Sequence, residues 1–251
     1  MDNSVKISFL KRIRQRANRS KDVLFFLVEY FISSQKLYAY RNFSFSQEGE
    51  DLVLKRMFKE NKKGFYVDVG AHHPQRFSNT YLFYLKGWRG INIDSMPNSM
   101  KPFDDLRPED TNIEAAISNS SEELTYYIFN EPALNSFSEK LSMERDGLDN
   151  YKIVDKISIK TIPLSKILDD YLPQGQEINF LSIDVEGLDH QVLLSNDWSK
   201  YKPKVILVEE LSTSLEDLTI SSKTYSLLRS QGYKLCSKTF NTSFYQLDAI
   251  E

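Results

Sequence analysis

The stretch GFYVDVGAHHPQRFSNTYLFYLKGWRGINID, residues 64–94, decides the fold. It opens with the apolar run Phe65-Tyr66-Val67 and passes into Asp68-Val69-Gly70-Ala71. It closes with Ile91-Asn92-Ile93 and Asp94. Between them lies room for one helix, the aromatic-rich residues 80–86, stopped by Gly87. A strand, loop, helix and strand with an acid at each strand end is a unit that, in a parallel sheet, seats a nucleoside at the carboxyl ends of the strands. Gly70 lets the backbone approach a ligand that a Cβ would block. The G-x-G-x-x-G turn that cradles a pyrophosphate is absent. Gly70 is followed by Ala71-His72-His73-Pro74, and Pro74 removes one N–H. This disfavours NAD or FAD and suits a nucleoside without phosphates, whose cationic amine Asp68 can meet. Asp94, at the end of the next strand, can accept both ribose hydroxyls.

The alternation continues on both sides of this unit. Upstream, Ser46 is expected as the N-cap of a helix with acids in its first turn and Leu52, Val53, Met57 and Phe58 on its apolar face. Downstream, Ser95-Met96-Pro97-Asn98 is expected to open a helix to about Arg107, with proline suited to the first turn. Residues 111–117 read as a strand ending in Ala115-Ala116, and residues 124–129 as an extra strand rich in aromatic and β-branched side chains. Residues 130–155 are polar and irregular, the best candidate for an insertion that shapes a substrate pocket. A strand over 156–162 and a helix over 163–171 follow. The apolar run 178–183 is a buried strand leading into Asp184-Val185-Glu186-Gly187, then a helix over 188–196. Residues 205–208 are a strand running into Glu209-Glu210, and 222–231 a helix. Residues 233–240 and 242–247 form a closing antiparallel pair. Strands alternating with helices predict an α/β fold: a mostly parallel sheet with helices on both faces, mixed at one edge.

With 251 residues the chain suits a main domain, residues 46–251, preceded by a helical appendage, residues 1–45. The charges nearly cancel at a net of -3, so nothing global points to nucleic acid. One cysteine excludes a disulfide framework or a cysteine metal cluster and fits a reducing, cytoplasmic compartment. Cys236 is expected as a small apolar core residue. At the amino end, basic residues from Lys6 to Lys21 precede the apolar run VLFFLVEYFI. That run contains Glu29 and is too short for a membrane span, which takes about 20 apolar residues. The first expectation is a buried helix. Residues 6–32 lying on an anionic membrane surface, at its inner face, is the second, and a homodimer contact the third.

The stretches SQEGEDLVL, FYVDVGAHHP, GWRGINID, NIEAAIS, TIPLSKIL, FLSIDVEG and KVILVEE, in that order, resemble the FkbM family of S-adenosylmethionine-dependent methyltransferases. The resemblance runs from Ser46 to about Glu210. It implies a class I methyltransferase, Rossmann-like fold with a seven-stranded sheet and a carboxy-terminal antiparallel hairpin. It implies that Asp68, Gly70 and Ala71 face the methionine end of the cofactor, that Asp94 with Ser95 binds the ribose, and that Ala115 and Ala116 border the adenine. Ser46 and Gln47 are implied to help close the site. The acceptor it implies is small or glycan-type, a sugar hydroxyl on a polysaccharide or its activated precursor.

Methyl transfer to a hydroxyl requires alignment of the acceptor oxygen and loss of its proton. Asp184 and Glu210, on two strand-end loops that open beside the cofactor, are expected on the acceptor side. As hard oxygen ligands they could hold a divalent cation, as carboxylates on the same two strands do in some class I O-methyltransferases. The alternative is a histidine base: His73, or His72 or His190. Glu186 and Glu209 are read as caps or salt-bridge partners. Two rival readings remain: a methyltransferase fold retained only for binding, which need not keep Asp68, Gly70 and Asp94, and a nucleotide-dependent oxidoreductase, which the missing glycines disfavour.

Overall fold

The computed structural model describes residues 41–211 and 214–248. Its strands, in chain order, are β1 Phe65–Val69, β2 Arg89–Asp94, β3 Thr111–Glu114, β4 Ala116–Ile117, β5 Glu123–Phe129, β6 Ile153–Ile162, β7 Phe180–Ile183, β8 Val205–Glu209, β9 Tyr233–Lys238 and β10 Thr242–Leu247. Its helices are α1 Glu50–Met57, α2 Tyr81–Leu85, α3 Met100–Leu106, α4 Glu139–Arg145, α5 Leu164–Tyr171, α6 Asp189–Leu194, α7 Leu215–Ser221 and α8 Lys223–Ser230. The expected appendage and membrane or dimer segment lie outside the described residues up to residue 40.

The main sheet has seven strands in the order β3-β2-β1-β7-β8-β10-β9. β1 pairs parallel with β2 on one side and β7 on the other, Asp68 lying opposite both Asn92 and Ser182. β10 runs antiparallel between β8 and β9, so the closing hairpin inserts its second strand next to the sheet and leaves its first at the edge. Period-two alternation divides the core into two layers. Val67, Ile93, Leu181, Ile183 and Val208 face α5, α6, α7 and α8. Tyr66, Phe180, Leu207 and Phe244 face α1 and α2 with Trp88. Strands covered on both faces read as near-continuous apolar runs, which is why β1, β7 and β8 stand out in the sequence.

Several expectations are corrected. Ser46 is not the N-cap of α1; Gly49 is, with φ 87°. Ser46 joins Ser44 and the Phe45 N–H around the buried carboxylate of Asp51, which holds residues 44–46 against the helix. The helix after β2 begins at Met100, beyond Pro97, because Ser95 to Asn98 form a loop whose Met96 N–H is bound by Asp94. The expected strand over 111–117 is two. Ala115 N–H donates to Asp94 O at 2.9 Å, and Ala116-Ile117 then leaves to pair with Thr161-Ile162 in a small sheet of order β4-β6-β5. The irregular segment contains α4, and α7 was not foreseen. Cys236 is exposed rather than in the core, since it lies on edge strand β9 on the side opposite the buried Tyr233. No helix among the described residues is long and apolar enough to cross a membrane.

Candidate active site

β1 sits where the strand order reverses, with β2 on one side and β7 on the other, and a crevice opens at the carboxyl ends of strands at such a point. Here it is a cavity of about 380 Å³, within the range of small-molecule sites. Its walls come from the loops after β1, β2 and β7, from the insertion between β5 and β6, and from Gln47. Backbone contacts set the loops. Gly70 and Ala71 N–H both donate to Ile93 O, and Asp184 N–H donates to Val69 O at 3.0 Å. Gly70 has φ 83°, and a Cβ there would lie 1.7 Å from the carbonyl oxygen of Asp184. Glycine is therefore what allows the β1 loop and the β7 loop to touch.

Asp94, Ser95, Gly70 and Gln47 line this cavity. Asp94 is fixed by two backbone donors: His72 N–H to Oδ2 at 2.9 Å and Met96 N–H to Oδ1 at 2.8 Å. Burial raises its carboxyl above the ordinary range, and those two hydrogen bonds oppose the shift. Each oxygen keeps a further lone pair for a ligand.

Asp68 is elsewhere. It is buried on the α2 side of the sheet, accepts the Thr80 hydroxyl at 2.9 Å, and does not line the cavity. The reason is depth: Asp68 stands level with Asn92 and Ser182, two residues before Asp94 and Asp184, so it shares their face of the sheet but lies below the strand ends. That side holds a polar network the sequence did not reveal. Arg107, fully buried, donates to Asp110 at 2.9 Å and to Tyr66, Thr80 and Asn92, each at 2.9 Å. Burial raises the Asp68 carboxyl and Arg107 opposes it. Asp68 is thus part of the support under the loop. Ala71 packs with Met100 and Phe103. Ala115 and Ala116 stay beside the sheet end without reaching the cavity wall.

The two histidines differ. His73 Nδ1 accepts from the N–H groups of Gln75 and Arg76 at 3.1 and 3.0 Å. In the neutral ring the proton then sits on Nε2, so neither nitrogen is left as a base. His72 carries its ring on a left-handed backbone, φ 52°, and its Nε2 is buried without a partner. Burial lowers both histidines from the ordinary imidazole range.

On the opposite wall Asp184 and Glu186 line the cavity. With Glu209 they bring one carboxylate oxygen each within 4.8 Å of one another. Glu210 is not with them: it accepts from Ser222 Oγ at 2.6 Å and Tyr245 OH at 2.8 Å. The Asp184–Glu210 pair expected to hold a divalent cation therefore does not form. Strand parity is the cause. Ile183 pairs with Val208, so the next residues, Asp184 and Glu209, fall side by side, while Glu210 turns to the other face. Arg145 of α4 pairs with Glu186 at 2.7 Å. Asp189 accepts the N–H groups of Val185 and Gly187 at 3.1 Å each and shapes the loop. Asp184 is set deep in the cleft yet open to water there. Desolvation, then the charges of Glu209, Glu186, Asp189 and Asp68, hold it well above the usual carboxylate range. Since water reaches it, the repulsion among the acids is the firmer cause. Burial, then the charges of Glu186 and Asp189, push Glu209 up to about 8, with Arg145 opposing. Groups so close share protons, and they do not all ionise together.

A family model described as the methyltransferase FkbM domain matches residues 68–235. The chain belongs to the FkbM methyltransferase family. The matched FkbM segment contains Gly70, Asp94, Asp184, Glu209 and the whole insertion; Gln47 and α1 precede it. Its sheet, numbered by its own strands, runs 3-2-1-4-5-7-6 with the seventh antiparallel, the Rossmann-like arrangement of class I methyltransferases. Among solved structures it is similar to a protein of Pyrococcus horikoshii provisionally described as an RNA methyltransferase, at 9% identity and a TM-score of 0.41, over 80% of this chain and 84% of that one. It is also similar to precorrin-6y C5,15-methyltransferase from Geobacter metallireducens, at 14% identity and a TM-score of 0.36, over 79% of this chain and 86% of that one. No curated protein matches.

Two residues of this FkbM-family site, Glu209 and Arg145, differ in how far the sequence marks them. Glu209 carries a signal: counting by twos along β8 from the buried Val205 and Leu207 places it on the side of Asp184. Arg145 carries none, since only the fold of the insertion brings it to Glu186.

Proposed function

We propose that this FkbM-family protein is an S-adenosylmethionine-dependent O-methyltransferase acting on a hydroxyl of a small or glycan-type acceptor, a sugar hydroxyl above all. The observation that carries the reading is one cavity in which Gly70 and Asp94 face Asp184 and Glu186. S-adenosylmethionine, when bound, supplies a methyl group on a sulfonium that leaves as a neutral thioether. Asp94 accepts ribose hydroxyls, Gly70 leaves room at the strand end, and Gln47 and Ser95 close the seat. Asp184 accepts the hydroxyl proton. A carboxyl held above its ordinary range lies nearer in proton affinity to a hydroxyl, which suits it as a base once ionised. Arg145 neutralises Glu186 beside it, and the insertion walls the acceptor side.

Calorimetry with S-adenosylmethionine and S-adenosylhomocysteine tests this. Binding is expected, and Asp94→Ala weakens it; binding of neither compound would sink the proposal. Transfer of a labelled methyl group to sugar and lipid extracts then identifies the acceptor class. Residues 6–32, basic and apolar, are the proposed contact with the inner face of an anionic membrane, where activated glycans are assembled. Deleting the first 40 residues should abolish liposome binding. Unchanged liposome binding removes the idea, and a halved mass in solution assigns the segment to a dimer.

A further inference from the structure

Two buried side-chain atoms on the cavity wall lack a hydrogen-bond partner, His72 Nε2 and Ser99 Oγ. Ser99 lies close enough to Asp94 to help hold its charge. His72 Nε2 has nothing, and an unpaired buried nitrogen is costly unless a ligand or water completes it. The ring is held in place nonetheless. Its own backbone N–H is bound to Asp94. Its face lies nearly parallel to Phe77, centroids 6.4 Å apart at 20°. The Arg76 guanidinium covers Phe77 at 4.3 Å and pairs with Glu131 of the insertion at 3.0 Å. The backbone is left-handed at both His72 and Phe77, a conformation rare for residues with side chains and worth a functional explanation.

We propose that His72 completes the nucleoside seat, donating from Nε2–H to the oxygen of a ribose hydroxyl that itself donates a hydrogen bond to Asp94. The inference rests on the S-adenosylmethionine reading above. Its logic is donor and acceptor balance. A carboxylate only accepts, whereas a hydroxyl both donates and accepts. Asp94 therefore leaves the hydroxyl oxygen in need of a donor, and His72, tied to the same carboxylate through its main chain, is placed to be one. His73 cannot serve at Nδ1, which closes its own turn. His190 also has an unpaired nitrogen, Nδ1, but is not on the cavity wall.

The test uses the full chain and calorimetry with S-adenosylhomocysteine and its 2′-deoxy and 3′-deoxy analogues. Wild type is expected to bind both deoxy analogues more weakly than the parent, since each loses a hydroxyl that donates to Asp94, and to bind the one that also loses the His72 contact roughly tenfold more weakly than the other. His72→Phe, which keeps a ring for the stack but has no nitrogen, should weaken the parent by a similar factor and bind that analogue no worse than wild type does. His72→Gly fits the left-handed backbone and replaces the phenylalanine variant should that fail to fold. His73→Asn should leave the discrimination intact. Equal losses for all three compounds in the His72 variants, or none, overturn the assignment while the donor reading stands. A wild type that binds none of them overturns both.

Discussion

Gly70→Ala isolates the contact on which the cavity depends. Two costs apply at this position. The first is conformational: a Cβ at φ 83° meets the left-handed penalty of about 1–2 kcal/mol. The second is steric. The new Cβ would sit 1.7 Å from Asp184 O, and that separation has to double to reach the 3.4 Å at which ordinary contact begins. The obstacle is backbone, so no side chain can swing away, and overpacking of this kind adds roughly 1–3 kcal/mol. Gly87 provides the comparison. Its φ is 86°, and a Cβ there would meet nothing within 4 Å, so Gly87→Ala incurs only the first cost. Thermal unfolding should show a fall of roughly 2–8 °C for Gly87→Ala and about twice that for Gly70→Ala, at 2–4 °C per kcal/mol for a chain of this size. Calorimetry on the folded Gly70→Ala protein should show S-adenosylhomocysteine binding weakened at least tenfold, with Gly87→Ala unchanged. Equal stabilities and equal affinities for the two variants would refute the claim that Gly70 exists to let the two loops touch.

Arg107→Met should destabilise by about 3–5 kcal/mol in urea unfolding, because it leaves Asp110 charged and buried without its partner. Adding Asp110→Asn should recover part of that loss, and full additivity would speak against the pair. For Glu209 the folded carboxyl keeps its proton up to about pH 8, whereas the unfolded chain releases it near pH 4.3. The folded state binds more protons in that window, so this residue's contribution is complete below about pH 4.3 and is lost as pH rises towards 8. Glu209→Gln should therefore gain in melting temperature over wild type at pH 8 and much less at pH 5, and parallel curves would contradict the assignment. Asp184→Asn should lower turnover on the responding extract far more than it lowers cofactor affinity, the pattern of a group that acts in the transition state; an unchanged rate assigns Asp184 to the loop's structure.

The strand ends were legible because buried parallel strands write themselves as apolar runs, and each run here stops at an acid or glycine. Gly70, Asp94 and Asp184 follow from that pattern. The depth and face of the other acids were less so. Asp68 looks like a strand-end acid, but it stands level with Asn92 and Ser182, two residues below Asp94 and Asp184 on the same face. Glu209 and Glu210 differ in face, since one residue inverts the side of a strand. Arg107 was invisible because its six hydrogen-bond partners come from β1, β2 and the loops before α2 and β3, and all but Asp110 lie at separations that no local pattern encodes. His72 and His73 are adjacent and chemically alike. Only the turn that spends Nδ1 of His73 tells them apart.

The insertion is clasped at its neck by Asn130. Asn130 N–H donates to Lys152 O at 3.0 Å, its Oδ1 accepts Lys152 N–H at 2.9 Å, and its Nδ2 donates to Asn150 O at 2.8 Å. Beyond this clasp Asn135 and Ser136 dock back on Phe129 and Tyr127 of β5, and the chain that follows them can change length at little extra cost, since closing a longer loop costs little extra entropy. Residues 137–149 are in that sense a cassette. One such segment could be exchanged for another of different size on an unaltered frame, and a change of acceptor would then require no change in how the methyl donor is held.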